Sequence, residues 1–239
     1  KLKREIDNLK TKNGITCMNI CMVPVRQGSE RLTRKNYLKI GEFTVLEITL
    51  LKVIQSKVFD RIVVNSDDPM LEEVASRMGV DFYLRNEELA TSSATIDQVI
   101  SDFFNNNDGD RVFLVNTVSP LTTIGDIKNF VNIGQEVNWR SAVSINPALV
   151  HVFYSNNPLN FKWEGGFART QDLEPVICLN YATMGWHRKM AEKLESGQLF
   201  DERTRLVESS KWSSFLLKTK EDLEVIRTLY PVAPDQSTD

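Results

Sequence analysis

The chain has few cysteines and histidines, and this limits the chemistry that it can support. Three cysteines occur among 239 residues with no CxxC pair, which argues against a disulfide framework or a thiolate zinc site and is typical of a reducing cytoplasm. With two histidines and no HExxH pattern, zinc-dependent hydrolysis is not supported. The patterns GxxxxGK[ST], GxGxxG and GxSxG are also absent, which disfavours a P-loop, a dinucleotide-binding site and a serine hydrolase.

Long apolar runs and an excess of one charge are missing too. No run approaches the roughly 18 residues of a membrane span, and the first residues lack the apolar core of a signal peptide. The 29 basic and 32 acidic residues nearly cancel, so nothing predicts a general affinity for nucleic acid or anionic membrane. We therefore expect a cytoplasmic protein without a nucleic-acid or membrane partner, in which any polyanion site is local.

The composition of the N-terminal segment differs from that of the rest of the chain. Its first part, KLKREIDNLKTKN, is highly charged and carries only a sparse apolar stripe. We expect residues 1–17 to form a tail and residues 18–239 to form one domain, which is long enough to bury a large core without cross-links.

Apolar runs rich in β-branched residues alternate with segments of helical period, which predicts βαβ units, a mostly parallel sheet and a three-layer αβα sandwich. The helix starts support this interpretation, because Thr44 with Glu47 and Thr95 with Gln98 have capping-box spacing. The predicted strands cover 19–25, 61–65, 81–84, 111–116 and 141–145, and the predicted helices cover 45–56, about 95–106, about 124–136 and a segment that begins at 69.

The pattern changes between residues 147 and 175, where Asn, Pro, Gly and aromatic residues replace the alternation. This composition predicts a β-hairpin insertion without a helix of its own. The α/β pattern then returns, and it predicts a helix over about 186–196, strands near 205–208 and 213–218, and a closing helix over 220–230.

A segment rich in cations follows the first predicted strand. We call this segment, residues 26–36, the basic loop. The glycine and serine at positions 28 and 29 let backbone N–H groups approach an anion closely. Because ligands bind beyond the carboxyl ends of parallel strands, we expect a site for a group with several negative charges, such as a triphosphate. A solvated loop without a ligand is the alternative. The loop has four cations and one acid: Arg26, Arg31, Arg34, Lys35 and Glu30.

The segment VPVRQGSERLTRKN resembles the fingerprint of the cytidylyltransferases that make CMP-activated acidic sugars, the CMP-sialic acid (acylneuraminate) synthetases. Their pattern is Ala-Arg-x-Gly-Ser-Lys, followed about four residues later by Lys-Asn. Four further segments resemble family segments in the same order, and the resemblance covers about residues 18–230. These segments are FDRIVVNSDDP, FYLRNEELATSSAT, FLVNTVSPL and NYATM.

The resemblance implies a nucleotide-diphospho-sugar transferase (Rossmann-like) fold, and a reaction in which CTP and an acidic nonulosonic sugar give a CMP-sugar and pyrophosphate for cell-surface polysaccharide biosynthesis. It implies that Arg26 and Lys35 are catalytic, and that the enzyme is a homodimer joined through 147–175. The nucleotide-binding residues that it implies are Arg26, Gly28, Ser29, Arg34, Lys35, Asn36, Arg85, Ser92 and Ser93. The sugar-side residues that it implies are Asn116, Ser119, Asn180 and Tyr181.

Several positions depart from the family pattern. Glu30 stands where the family has a lysine, and Thr122 stands where an arginine is usual. The family holds Mg²⁺ with two aspartates at positions that align with Leu216 and Lys218, and neither residue supplies the oxygen ligand that Mg²⁺ needs. We therefore expect a Mg²⁺ cofactor, but the sequence does not identify the residues that bind it. Lys218 could act as a fixed cation instead, or a metal could be held by substrate phosphates with one of three acids: Asp67, Asp68 or Asp201.

Three hypotheses remain open at this point. The first is a cytidylyltransferase with altered specificity or metal use. The second is a catalytically impaired member of the family that binds nucleotide as a regulatory or partner subunit. The third is an unrelated α/β protein whose basic loop binds another phosphorylated metabolite.

Overall fold

The structure, a computed structural model, describes residues 17–28, 32–133 and 139–235. Its centre is a seven-stranded sheet, and two further strand pairs, β2 with β3 and β8 with β9, stand apart from that sheet. The strands of the described residues are β1 (Asn19–Val25), β2 (Lys39–Ile40), β3 (Phe43–Thr44), β4 (Arg61–Ser66), β5 (Asp81–Leu84), β6 (Arg111–Val115), β7 (Ser141–Ala148), β8 (Phe153–Tyr154), β9 (Asn157–Pro158), β10 (Val176–His187) and β11 (Arg205–Glu208).

The main sheet is mostly parallel, as the alternation predicts. Its order is β11-β7-β10-β6-β1-β4-β5. Strands β6, β1, β4 and β5 run parallel to one another, and β11 is parallel to β7. Strand β10 is antiparallel to both β6 and β7, so it places residues 180–183 at the same edge as the carboxyl end of β6.

Two helices begin where the capping boxes predict, and the helix predicted to begin at 69 begins at Leu71. At α1, Glu47 N donates to Thr44 Oγ1 at 3.2 Å and Thr44 N donates to Glu47 Oε2 at 2.9 Å, and the second predicted capping box, at Thr95 and Gln98, is also present. The last predicted residues of α4, 134–136, lie outside the described residues. The α-helices of the described residues are α1 (Val45–Ser56), α2 (Leu71–Arg77), α3 (Ile96–Asn106), α4 (Ile124–Ile133), α5 (Ala191–Glu195) and α6 (Lys220–Leu229).

The alternating side chains of β1 show how the layers form. Ile20 and Met22 are fully buried on one face of the sheet, in a cluster with side chains of α3 and α5. Cys21 and Val23 are buried on the other face, in a cluster with side chains of α1, α2 and α4. Since successive strand residues point to opposite faces, helices cover both faces and the three-layer αβα arrangement is confirmed.

Two predictions for the C-terminal third are wrong. Trp186 was expected to begin a helix, but it lies in β10, where it is paired with Val112 and Ser141 and is fully buried, and the helix is confined to α5. The segment 213–218 was expected to be a strand. It forms the end of a 3₁₀ turn and an extended stretch, in which Leu217 N donates to Val118 O of a loop at 2.7 Å. Because its hydrogen bond goes to a loop, it joins no ladder of the sheet.

The segment 147–175 contains the short hairpin of β8 and β9. It also contains a 3₁₀ turn over Thr170–Asp172. Its aromatic side chains contact one another rather than the main core; for example, the rings of His151 and Phe167 stack with centroids 3.9 Å apart. Several of its apolar side chains are exposed, among them Phe153, Trp163 and Phe167. The predicted tail lies outside the described residues except for residue 17. In the described part of the chain no helix has both the length and the apolar character that a membrane span requires.

Candidate active site

The basic loop leaves the carboxyl end of β1 at the expected edge of the sheet. The guanidinium of Arg26 is half-buried, and its Nη1 donates to Thr91 O at 3.0 Å, so it bridges the loop to the segment that follows β5. A Cβ placed on Gly28 would meet no atom within 4 Å, so the described protein itself does not require a glycine there. The predicted phosphate ligand Ser29, together with Glu30 and Arg31, lies outside the described residues.

Two adjacent carboxylates after β4 hold both ends of the basic loop. Asp67 Oδ1 accepts a hydrogen bond from Gln27 N at 3.0 Å, and Asp68 Oδ2 accepts one from Tyr37 Oη at 2.5 Å. Asp68 is buried, and its Oδ1 also accepts from Met70 N at 3.1 Å. Burial, together with the bond to Asp68 and its negative charge, raises the pKa of Tyr37 to about 12, so this hydroxyl remains a donor at neutral pH.

The C-terminal half of the basic loop is shaped by one left-handed residue. Arg34 has a φ of 54°, and its guanidinium lies 5.5 Å from the centroid of the Tyr37 ring, within cation–π range. Lys35 is half-buried in the 3₁₀ turn Lys35–Tyr37. Asn36 is buried, and its Oδ1 accepts no hydrogen bond from the described residues. Because buried acceptors are nearly always paired, this oxygen is suited to a ligand donor.

Arg85 directly follows β5 and is buried. Its Nε donates to Asn65 Oδ1 at 2.5 Å and its Nη2 donates to Asn65 O at 2.8 Å. Burial lowers the pKa of Arg85, the negative charge of Asp67 opposes this, and the positive charge of Arg26 adds to it. Two guanidinium groups thus repel each other across the edge of the sheet, and an anion bound between them would relieve that repulsion.

The small polar residues after β5 lie close to Arg26. Ser92 and Ser93 are exposed, and Ser93 Oγ lies 3.0 Å from Thr91 Oγ1. Since Thr91 also holds Arg26 through its carbonyl, these hydroxyls stand beside the cation. The structure therefore brings the described nucleotide-side residues to one edge, around the ends of β1, β4 and β5.

The predicted sugar-side residues lie at the same edge, around the end of β6. Asn116 N donates to Ala182 O at 2.9 Å, which ties the loop after β6 to the irregular part of β10. Ser119 is buried and its hydroxyl donates to Ser213 O at 2.6 Å. Tyr181 is exposed, with a φ of 57°. Of these groups, the Tyr181 side chain is open to a ligand, whereas the Ser119 hydroxyl already donates its hydrogen bond within the chain.

Asn180, the fourth sugar-side candidate, has its amide fully occupied by protein groups. Its Oδ1 accepts from Ser144 Oγ at 2.5 Å and from Ala182 N at 3.0 Å. Its Nδ2 donates to Asn146 Oδ1 at 2.6 Å and to Ser209 Oγ at 2.7 Å. These bonds use both lone pairs and both N–H groups, so Asn180 is suited to positioning its neighbours. A direct contact between Asn180 and a sugar stays a prediction.

Comparison with known families gives this arrangement a context. The sequence model described as cytidylyltransferase matches residues 20–157, which include the basic loop, the carboxylates after β4, Arg85 and the loop after β6. The chain belongs to the cytidylyltransferase family.

Curated cytidylyltransferases resemble much of the chain. The N-acylneuraminate cytidylyltransferase of Streptococcus agalactiae serotype III is 26% identical over 221 residues, which are 88% of this chain and 53% of that protein. The CMP-N,N'-diacetyllegionaminic acid synthase of Legionella pneumophila is 30% identical over 134 residues, 54% of this chain and 57% of that protein. The chain thus spans about half the length of these curated relatives.

Solved cytidylyltransferases share the fold. CMP:2-keto-3-deoxy-manno-octonic acid synthetase in complex with CTP has a TM-score of 0.66 at 13% identity, and the match covers 90% of this chain and 99% of that one. The 4-diphosphocytidyl-2C-methyl-D-erythritol synthase of Anaerococcus prevotii has a TM-score of 0.67 at 17% identity, over 90% of this chain and 96% of that one. At these identities the likeness establishes the fold alone.

The positions that align with the family's metal-binding aspartates do not fit a metal in this chain. Leu216 has no oxygen ligand, and the exposed Lys218 carries a positive charge. Both line a cavity of about 300 Å³ that lies against α6 and has no lining residue from the described part of the basic loop. Across residues 17–28, 32–133 and 139–235, no three His, Cys, Asp or Glu side chains are grouped so that they could hold a metal ion.

The three acids considered as metal ligands have different surroundings. The side chain of Asp201 is buried and forms an ion pair with Lys193 at 2.7 Å, and Asp68 is bonded to Tyr37. Asp67 is half-buried, and its Oδ2 has no hydrogen bond or ion pair with the described residues. Of the three, Asp67 is therefore the carboxylate best placed to meet a metal carried by phosphates.

Sequence reasoning missed Tyr37 and Asn65 as parts of this site. Tyr37 directly follows the Lys-Asn pair of the fingerprint, and Asn65 lies in FDRIVVNSDDP, one of the segments that resemble the family. Their positions could have drawn attention, but their roles depend on loops that fold back onto the ends of strands. No local pattern encodes such contacts.

Proposed function

We propose that the protein is a nucleotidyltransferase that transfers CMP from CTP to an acidic nonulosonic sugar and releases pyrophosphate. The observation that supports this proposal most strongly is the basic loop, which carries Arg26, Arg34 and Lys35 and is anchored at both ends to the carboxylates after β4. The charge of Arg26 also acts on the buried Arg85. Membership of the cytidylyltransferase family supports the choice of nucleotide. The names of the curated relatives support an acidic nine-carbon sugar as the acceptor.

In the proposed reaction the anomeric hydroxyl oxygen of the sugar attacks the α-phosphorus of CTP. The new O–P bond forms as the bond to pyrophosphate breaks, and the hydroxyl proton leaves to solvent. No covalent enzyme intermediate is required, so rate acceleration comes from positioning and charge stabilisation. Arg26 and Lys35 offset the charge that grows on the departing pyrophosphate, and the backbone at Gly28 and Ser29 cradles the phosphates. Arg85, Ser92 and Ser93 face the base or the ribose.

A requirement for Mg²⁺ is part of the proposal. When bound, the ion neutralises phosphate charge. Asp67 would hold it together with the nucleotide phosphates, because Leu216 and Lys218 have no side-chain oxygen. Lys218 contributes a fixed positive charge near the loop after β6, to which its neighbour Leu217 is bonded.

A homodimer joined through residues 147–175 is proposed as well. The exposed apolar side chains of this insertion, such as Trp163 and Phe167, form a surface of the kind that self-association buries. Trp163→Ser combined with Phe167→Ser should shift the mass in sedimentation equilibrium from dimer to monomer. A monomeric wild-type protein would contradict the assignment. The cytoplasmic location and the role in cell-surface polysaccharide synthesis remain predictions.

Incubation with CTP, Mg²⁺ and a panel of acidic sugars tests the proposal. Pyrophosphate release that depends on one sugar, with the CMP-sugar detected by mass spectrometry, is the expected result. CTP binding without turnover across the panel would favour the impaired, nucleotide-binding alternative. Nucleotide affinity that stays intact in Arg26→Ala and Lys35→Ala would favour the third hypothesis, in which the basic loop binds another phosphorylated metabolite.

A further inference from the structure

Tyr181 has a backbone conformation that tyrosine rarely adopts. Its φ of 57° lies in the left-handed region, where a Cβ crowds the neighbouring carbonyl and which glycine and asparagine tolerate better. The residue lies where the register between β10 and β7 is interrupted, between Leu179 and Met184. Such strain persists only where the surrounding structure holds it, and it concentrates at functional sites.

The neighbours of Tyr181 show what holds this conformation. Asn180 is buried and bonded on all sides, and its Oδ1 accepts from Ala182 N at 3.0 Å, so the amide spans the strained residue. Ala182 is buried too, and its carbonyl accepts from Asn116 N at 2.9 Å. With both flanking residues fixed in this way, Tyr181 is turned outward at the carboxyl edge of the sheet.

The side chain of Tyr181 makes neither a hydrogen bond nor an aromatic contact that would stabilise the described part of the fold. It is 46% exposed, its hydroxyl makes no hydrogen bond within the described part of the chain, and its ring has no aromatic partner there. A large side chain that strains its own backbone without contributing such contacts is suited to touching something outside the chain. Its ring offers an apolar face at a low cost in conformational entropy.

The position of Tyr181 indicates which substrate the ring meets. Arg26 and Arg85 mark the nucleotide half of the edge, beyond β1, β4 and β5. Tyr181 lies in the other half, beside the loop that begins at Asn116. If CTP occupies the first half, the acceptor sugar occupies the second. An acidic 2-keto sugar is polar over most of its surface, so the group that suits an aromatic wall is an acyl substituent.

We propose that Tyr181 selects the acceptor, because its ring forms the wall against which the acyl substituent of the sugar packs. This inference rests on the proposed function and deepens it. It explains why a tyrosine occupies a position at which the backbone favours glycine or asparagine. It also predicts that removing the ring costs acceptor selectivity and not stability.

Two substitutions distinguish the effect of the aromatic ring from the effect of the backbone strain. Tyr181→Asn removes the ring and suits a left-handed backbone, whereas Tyr181→Phe keeps the ring. Both variants are compared with the wild type at saturating CTP, using N-acetylneuraminic acid and the unacylated 2-keto-3-deoxy-manno-octonic acid as acceptors. We expect Tyr181→Asn to raise KM for the acylated sugar about tenfold or more, as the loss of one apolar contact does, and to abolish the preference for it. Tyr181→Phe keeps the preference, and KM for CTP stays unchanged in both variants.

Lys57 provides the matched control. It has a φ of 54° at the C-terminal end of α1, before the amino end of β4. Lys57→Asn should alter the urea midpoint by as much as Tyr181→Asn does, without any change in KM. A lower midpoint in Tyr181→Asn, or an equal rise in KM for both sugars and for CTP, would show a structural role and overturn the inference.

Acceptor binding to the wild type separates the inference from the proposed function. Calorimetry with a non-hydrolysable CTP analogue present measures that binding without turnover. If the wild type transfers CMP and Tyr181→Asn keeps its preference for the acylated sugar, the inference alone is wrong. If the wild type binds the analogue but neither binds nor converts any acidic sugar, the proposed function is wrong and the inference falls with it.

Discussion

Tyr37 donates a 2.5 Å hydrogen bond to the buried carboxylate of Asp68, and this contact joins the end of the basic loop to the end of β4. The adjacent Asp67 accepts from Gln27 N at 3.0 Å and holds the beginning of the same loop. Both ends of a cationic segment are therefore fixed before any ligand binds. Ordering a loop at the moment of binding reduces affinity, so this arrangement favours tight binding of a polyphosphate.

Breaking this contact should weaken nucleotide binding. In Tyr37→Phe the carboxylate of Asp68 loses its hydroxyl donor, and the C-terminal half of the basic loop loses its anchor. Because a hydrogen bond to a charged group contributes about 1.5–3 kcal/mol, we expect the Kd for CTP to rise about tenfold. Isothermal titration calorimetry measures the change.

Tyr83→Phe is the matched control for this prediction. Tyr83 donates to Asp102 Oδ2 at 2.9 Å, so its substitution also removes a Tyr–Asp bond, but from β5 and α3 rather than from the basic loop. If both variants lose a similar amount of stability but only Tyr37→Phe raises the Kd for CTP, the result supports the role of Tyr37 as an anchor of the basic loop. Equal effects on Kd in the two variants would contradict it.

Arg26→Ala should reduce CTP affinity and its dependence on salt. The substitution removes a cation whose Nη1 donates to Thr91 O at 3.0 Å and whose charge acts on Arg85. We expect a loss of about tenfold or more in affinity, with a shallower slope against ionic strength, since one charge contact to phosphate disappears. Arg61→Ala removes an exposed arginine at the opposite, amino edge of the sheet and should leave both quantities unchanged.

Gly28→Ala separates a ligand effect from a folding effect. A Cβ at this position meets no atom of the described protein within 4 Å, so the melting temperature should stay the same. If phosphate oxygens approach the backbone here, the added methyl group should still raise the KM for CTP severalfold. Unchanged kinetics would show that the nucleotide does not approach Gly28.

Lys52 should make stability depend on pH in an unusual direction. The residue is only 4% exposed, and its Nζ donates to Pro120 O at 2.8 Å. Burial lowers its pKa from 10.5 to about 8, against the opposing charges of Asp235 and Asp126. Between these two values the unfolded chain binds the proton and the folded chain does not, so the free energy of unfolding rises as pH rises from about 8 to 10.5.

The variant Lys52→Met isolates this contribution. At about 1.4 kcal/mol for each pKa unit, the wild type should gain about 3 kcal/mol relative to Lys52→Met across that window. Urea unfolding of both proteins at pH 7.5, 9 and 10.5 (roughly the ends and middle of the window) measures the difference. A difference that stays constant, or that shrinks as pH rises, would contradict the assignment.

The first strands and helices were predictable because they follow local rules. The alternation of β1 and the capping boxes at Thr44 and Thr95 depend on residues that are close in sequence. Strand β10 was not predictable in this way. Its residues include the left-handed Tyr181 and Gly185, where a Cβ would lie only 2.9 Å from the Phe113 ring. An irregular strand with a glycine resembles a loop until its neighbours β6 and β7 are known.

The candidate site also contains residues that the sequence identified and residues that it could not identify. The resemblance identified Arg26, Lys35 and Arg85, and the structure places all three at the carboxyl edge around the ends of β1, β4 and β5. The anchors of the basic loop could not be predicted, because the bond between Tyr37 and Asp68 joins residues that are 31 positions apart. Side-chain contacts of this kind depend on how loops pack after the sheet has formed.

A crystal structure with CTP bound tests the central claim most directly, since that claim places the triphosphate on the basic loop. We predict phosphate density within hydrogen-bonding distance of Arg26 and Lys35 and of the backbone at Gly28, with the cytidine toward Arg85 and Ser93. Triphosphate density elsewhere, for example in the cavity beside Lys218 with the basic loop empty, would contradict it.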